Sequence, residues 1–334
     1  MSGLRKVVVT PPNFDGAALD YLRAHGCAPV LPEKPEAQHS DEDLRALLTG
    51  AQGWIIGPAP HVTPALVAAL PECRVFARRG VGYERLDTIS IKAAGRVAAI
   101  ATGGNDASVA DAAVGLMLAV GRRMREQQNA MLSGDWSIRV STDLYRKTIG
   151  IIGMGRSGQA LAQRLKGFET TLLGVTPHPN LAWGETQGVA FTDLATLLRD
   201  SDYVSIHAPL SAQTRHLIGA EEVAAMKSGA ILINTARGGL VDDRALLEAL
   251  RSGHLGGAGL DVYEGEADPE LKPVAEALLA LPNVVGTPHS AASTREGLAR
   301  TNMIIARTVV AVLDGTEAPE GCLLVDGRRG GIVA

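Results

Sequence analysis

The sequence predicts an α/β fold built as two parallel-sheet domains with a cleft between them, and three observations predict it. Up to about residue 100, short apolar runs alternate with helical patterns, as strands and crossover helices do in a parallel sheet. Around residue 102 the texture changes to one long, almost wholly apolar helix. From residue 147 a second alternating series begins, and its first strand breaks into spaced glycines before a helix. With 334 residues and 46% hydrophobic content, the chain can bury two sizeable cores.

In the first series, strands are expected at 7–10, 54–57, 75–77 and 97–100, and helices at 16–25, 64–70 and 89–95. Asn105 or Asp106 is the candidate cap of the long helix at 108–120. Apolar residues nearly encircle that helix, so burial on most sides is expected, in part against a partner subunit. The densest basic cluster, Arg122-Arg123-Met124-Arg125, reads as its solvated end, and a loop through Gly134-Asp135-Trp136 follows. The second series then runs as strand 147–152, helix 159–165, strand 171–175, helix 194–199 and strand 203–207. It continues as helix 221–226, strand 230–234, helix 243–252, and strands 257–262 and 284–286. A final helix is expected at 298–313, and the tail at 326–331 reads as a loose arm.

The glycines of the second series carry the first chemical signal. Gly153-Met154-Gly155-Arg156-Ser157-Gly158 reads G-x-G-x-x-G between a strand and a helix. Gly153 permits the tight turn, Gly155 lets the backbone approach a pyrophosphate, and Gly158 lets helix pack on strand. The free N–H groups at the helix start then hold the phosphates, and Arg156 is placed to reach them. This makes the second domain Rossmann-like. The next strand of such a unit usually ends in an Asp or Glu that binds the adenosine ribose. Here it ends in Thr176-Pro177-His178-Pro179-Asn180, with no carboxylate.

Three later strand ends bring charged groups together. One leads into Asn234-Thr235-Ala236-Arg237-Gly238-Gly239, one into Asp261-Val262-Tyr263-Glu264-Gly265-Glu266, and one into Thr287-Pro288-His289. Ligand sites in open α/β sheets lie at the carboxyl ends of strands, so an Arg, a Glu and a His can converge over one cleft. With these segments the chain resembles the D-isomer-specific 2-hydroxyacid dehydrogenases. The similarity extends upstream to Gly80-Val81-Gly82-Tyr83 and Asn105…Val109-Ala110, so it covers nearly the whole chain with motifs in the family's order.

The resemblance implies roles. Arg237 would hold the substrate carboxylate and polarise the keto oxygen through its donor fork. His289 would be the acid for reduction and the base for oxidation, and Glu266 would orient its ring and favour the imidazolium. Val81 and Gly82 would bind the substrate carboxylate through their amides. The cofactor would meet the glycine loop from Gly153 to Gly158, Met154 and Ser157 included, then Thr176, His207, Ala208, Pro209, Thr214, Thr235, Ala236, Arg237, Asp261 and His289. Asp261 would contact the nicotinamide end, with a loop-capping carboxylate as the alternative. His207 and His216 do not read as catalytic, His207 having local hydrogen bonding as its plain alternative, and Glu264 reads as solvated. On the resemblance, residues 1–101 with 295–334 form a discontinuous, flavodoxin-like substrate-binding domain, and 102–294 the dinucleotide-binding one.

A net charge of −4 gives no reason to expect nucleic acid or a membrane surface. Cys27, Cys73 and Cys322 are few and unpatterned, which fits a reducing cytoplasm and no metal site. The expected protein is cytoplasmic and homodimeric, and reduces glyoxylate, hydroxypyruvate or a similar 2-keto acid, or runs the reverse. An alternative is a phosphoglycerate-type enzyme without a C-terminal regulatory domain, in which Arg79, with Arg78 and His61, binds a second anionic group. A formate-type enzyme is disfavoured because that branch uses Gln at the position of Glu266. A dinucleotide-binding corepressor is the alternative of another class. Thr176 in place of an acid points to NADP, or to both NAD and NADP.

Overall fold

The computed structural model describes residues 3–329. The chain divides into two compact units, one formed by the chain up to Asn105 together with that from Thr294 onward, the other by Asp106–Ser293.

The first unit contains β1 (Arg5–Val9), β2 (Cys27–Val30), β3 (Gly53–Ile56), β4 (Val75–Arg78) and β5 (Val97–Ile100). These pair in parallel in the order β5-β4-β3-β1-β2. Side chains alternate across the sheet, as the pleat requires. Val7, Val9, Ile55, Val75 and Val97 join one core with Ile305, Val309 and Val312 of the Arg295–Asp314 helix. Val8, Trp54, Ile56, Phe76 and Ala98 join the core on the opposite face. Apolar side chains on both faces explain why these strands read as continuous apolar runs. The expected loose arm is corrected here. A strand at Leu323–Asp326 pairs antiparallel with β5, and the buried Asp326 carboxylate accepts from Arg328 at 2.9 Å. Residues 330–331 of that arm lie outside the described residues.

The second unit contains β6 (Thr148–Ile152), β7 (Thr171–Val175), β8 (Val189–Phe191), β9 (Tyr203–Ile206), β10 (Ile231–Asn234), β11 (Gly257–Leu260) and β12 (Val284–Gly286). All pair in parallel, in the order β12-β11-β10-β9-β6-β7-β8. The chain enters at β6, runs outward through β7 and β8, then returns to lay down β9 on the other side. That reversal between β6 and β9 is the switch point at which open α/β sheets bind ligands. The long helix spans Asp106–Gly121 and buries Ala110, Ala113, Leu116, Met117 and Val120 against the Arg156–Leu165 helix, β10 and β11. As expected it ends in solvated basic residues, Arg122 and Arg123 both being exposed, and only Arg125 of that cluster is drawn inward. Arg123, in the left-handed region at φ 52°, turns the chain into a second helix, Met124–Leu132. Arg125 then donates to the carbonyls of Leu281 and Val284 at 3.2 and 2.6 Å.

Candidate active site

The turn between β6 and the Arg156–Leu165 helix is built from glycine stereochemistry. Gly153 has φ +96°, and a Cβ there would lie 2.5 Å from the Ala208 nitrogen. A Cβ on Gly158 would lie 2.1 Å from the Gly153 oxygen, so helix and turn touch only because both residues lack one. At Gly155 a Cβ would meet nothing, and the helix has no side-chain cap. The first-turn N–H groups therefore face open space at the positive end of the helix, which suits a phosphate. Met154 is buried in the core behind the loop. The Thr235 hydroxyl, buried at the end of β10, has no hydrogen-bond partner among the described residues. An open cradle of amides and an orphaned hydroxyl fit a dinucleotide.

Other cofactor candidates are engaged locally. Arg156, exposed beside the glycine loop, pairs with Asp106 at 2.7 Å. Ser157 and Ser205 hydroxyls bond the two ring nitrogens of His207 at 3.2 and 3.0 Å. Burial pushes that imidazole down to about 4, so it is neutral. The Thr214 hydroxyl donates to the Pro209 carbonyl at 2.7 Å and closes the loop after β9. Thr176 follows β7 directly and is half-buried, while His178 is exposed.

Arg237, Glu266 and His289 follow β10, β11 and β12, three neighbouring strands of one sheet. Nδ1 of His289 lies 2.7 Å from Oε2 of Glu266, which leaves Nε2 as the nitrogen offered to a ligand. The other Glu266 oxygen accepts from the Tyr263 amide at 2.8 Å. The Glu266 hydrogen bond raises the His289 pKa above its ordinary 6.5, outweighing burial and the positive charge of Arg237. Burial alone would raise Glu266, but its bonds to His289 and the Tyr263 amide hold it below the usual range. Arg237 Nη1 donates to the Ala236 carbonyl at 2.7 Å, and the Asn234 side chain braces the loop on both sides.

Two acidic residues are engaged within the fold, and for Glu264 this differs from expectation. Asp261 is buried, and its carboxylate accepts from the Thr287 hydroxyl at 2.5 Å and the Ser290 and Ala291 amides at 2.8 and 2.9 Å. Its side chain thus shapes the loop bearing His289, the alternative reading of that residue. Glu264 is buried rather than solvated, bonded to Arg215, His216 and the Asp243 amide. Local sequence gave no sign of this, because its partners come from segments remote in the chain.

In the first unit, Arg78 Nε donates to the Gly82 carbonyl at 3.0 Å and holds the 80–83 loop in shape. Gly80 adopts φ +133°, and the Ala101 amide anchors its carbonyl at 2.9 Å. Arg79 donates to the Pro12 carbonyl. No group of three or more His, Cys, Asp or Glu among the described residues is placed to hold a metal ion. No helix among them is long and apolar enough to cross a membrane.

Comparison with known proteins agrees with this geometry. Residues 114–291 match the family described as D-isomer specific 2-hydroxyacid dehydrogenase, NAD binding domain. A D-3-phosphoglycerate dehydrogenase of Methanocaldococcus jannaschii is 36% identical over 82% of this chain, but the chain spans only 52% of that protein's length. A hydroxypyruvate reductase of Thermotoga maritima is 35% identical, over 82% of this chain and 89% of its own. Among solved structures, the TT0316 protein of Thermus thermophilus superposes with a TM-score of 0.83 at 35% identity, covering 96% of this chain and all of its own.

Proposed function

The chain belongs to the D-isomer specific 2-hydroxyacid dehydrogenase family, and from that premise we propose that it interconverts a small 2-keto acid and its D-2-hydroxy acid. The observation that carries the proposal is the 2.7 Å bond between His289 and Glu266 beside the Arg237 loop. A bound nicotinamide would supply the hydride to the carbonyl carbon. Gly153–Gly158 and Thr235 are proposed to hold that cofactor. Arg237 takes the substrate carboxylate and the developing negative charge on oxygen. As the carbonyl π pair moves onto oxygen, Nε2 of His289 donates its proton there. In oxidation the same nitrogen removes the hydroxyl proton. Glu266 keeps Nδ1 protonated and the ring aimed throughout.

Glyoxylate or hydroxypyruvate is the proposed substrate, the second in line with the name of the Thermotoga relative. The amides of Val81 and Gly82 are the first unit's proposed contribution. A doubly anionic, phosphoglycerate-type substrate is the second reading, favoured by the name of the Methanocaldococcus relative, with Arg79 as the proposed extra cation. Initial rates on glyoxylate, hydroxypyruvate, phosphohydroxypyruvate and sulfopyruvate, each with NADH and NADPH, test both. Turnover of the first two is expected. Turnover confined to the phosphorylated or sulfonated acid would favour the second reading. Tight cofactor binding without turnover of any would leave the corepressor-type role.

A further inference from the structure

We propose that Glu264 is a positioning residue for this reaction: its buried carboxylate ties the loop carrying Arg237 to the turn carrying Glu266, and so holds Glu266 against His289. The inference rests on the catalytic reading above. It starts from how closely the two segments lie. A Cβ on Gly238, next to Arg237, would come 2.1 Å from the Tyr263 oxygen and 2.9 Å from the Glu264 nitrogen. The Arg237 loop therefore rests directly on the backbone of the turn.

Three segments meet at the Glu264 carboxylate, which is 4% exposed. From the first, Oε1 bonds Nε2 of His216 at 2.7 Å and Nη2 of Arg215 at 3.2 Å. From the second, Oε2 accepts the Asp243 amide at 3.1 Å, and Asp243 in return accepts the Glu264 amide at 2.9 Å. The first two segments are themselves stitched together. The His216 amide donates to Gly239 at 2.7 Å, Ile218 to Leu240 at 3.0 Å, and Asp242 to Ile218 at 2.9 Å. The third segment is the turn itself, Glu264–Glu266, which ends in the residue bonded to His289.

Such a carboxylate must be fully bonded to be tolerated, so its partners and its own backbone have one arrangement. Arg215 and His216 face it from one side, and Asp242 and Asp243 lie on the other. Burial first, and then the neighbouring Glu264 charge, push Asp243 up to about 6. Around His289 the charged groups are Glu266, Arg237 and Asp261. Glu266 lies two residues from Glu264 on the same turn, so the effect of Glu264 on His289 passes through the position of Glu266.

Glu264→Gln tests this. A carboxamide keeps the volume but has one acceptor oxygen, so it cannot serve both the His216–Arg215 side and the Asp243 amide. The wild type and variant are compared by keto-acid kcat and KM, by cofactor affinity from nicotinamide fluorescence, and by NMR titration of the His289 ring, assigned with His289→Gln. Expected are a kcat lower by about tenfold or more, unchanged cofactor affinity, and a His289 midpoint displaced from its raised value toward 6.5. His216→Asn, at a φ of +51° that Asn tolerates, should give a smaller change of the same kind and replaces Glu264→Gln if that variant does not fold. A folded variant with wild-type kcat and a wild-type His289 titration would overturn the inference. A wild type without keto-acid turnover would instead overturn the catalytic reading, and the titration would still decide whether Glu264 positions Glu266.

Discussion

His289 sits at φ 51°, a backbone conformation that costs a non-glycine residue on the order of 1–3 kcal/mol. The fold holds it there through its amide, which donates to the Asp261 carbonyl at 2.8 Å, and through the Asp261 carboxylate, which grips Thr287, Ser290 and Ala291. What the strain secures is an imidazole whose Nδ1 meets Glu266 at 2.7 Å and whose Nε2 is left for chemistry. The bond to Glu266 raises the His289 pKa, and this fixes the sign of the pH dependence. Reduction needs the imidazolium, so its kcat/KM should be full at low pH and fall as pH rises through the raised His289 pKa. Oxidation needs the neutral ring and should rise over the same interval. In Glu266→Gln both limbs should move down, toward 6.5. Initial rates in each direction between about pH 5 and 10 would show it. Limbs that stay in place would mean that Glu266 does not set the protonation of the catalytic group.

Among the elements, those fixed by local stereochemistry were legible in the sequence. The β6–turn–helix unit needs glycine at 153 and 158, where any side chain collides with backbone, so the pattern stands out. Central strands such as β4 and β10 read clearly because both faces are buried. The short β8, the antiparallel Leu323–Asp326 edge and the Asp41–Leu48 helix with its Ser40–Asp43 capping box did not. Most of their residues are at least partly exposed, so hydropathy marks them weakly. In the site, Arg237, Glu266 and His289 came from motifs, whereas the Glu264–His216 pair spans 48 residues and leaves no local trace. The end of β7 supports a prediction at this scale. Thr176 follows the strand where a carboxylate would bind the adenosine ribose. Thr176→Asp should therefore repel the extra phosphate of NADP and lower the NADP-to-NAD ratio of kcat/KM on the order of tenfold or more. A ratio left unchanged would place the ribose elsewhere, and a wild type strongly selective for NAD would overturn the expected use of NADP or of both cofactors.

At the scale of the molecule, the apolar surface is unevenly spent. The Asp106–Gly121 helix, expected to lend a face to a partner subunit, packs on its own sheet and on the Arg156–Leu165 helix. The next helix, Met124–Leu132, buries none of its residues. It and the segment after it expose Met124, Met131, Leu132, Trp136, Ile138 and Val140, with Leu132 79% and Ile138 95% accessible. Six large apolar side chains within so short a stretch are more than a monomer usually leaves in water, which makes this surface a candidate for association. The expected homodimer is proposed to use this surface beside the preceding helix, whose Val109, Val114 and Leu118 are only half-buried. Burying one Leu or Ile is worth roughly 1.5–3 kcal/mol, and a two-fold interface buries each residue twice. Replacing Leu132 and Ile138 together by Asp should then raise the dimer dissociation constant roughly a hundredfold or more. The buried sheet and the His289–Glu266 pair, which these residues do not touch, should keep their fold. Sedimentation equilibrium on wild type and double variant, with circular dichroism to confirm folding, reads the outcome. A wild type that is monomeric at micromolar concentration, or a folded variant that dimerises as tightly as the wild type, would show that this surface has another use.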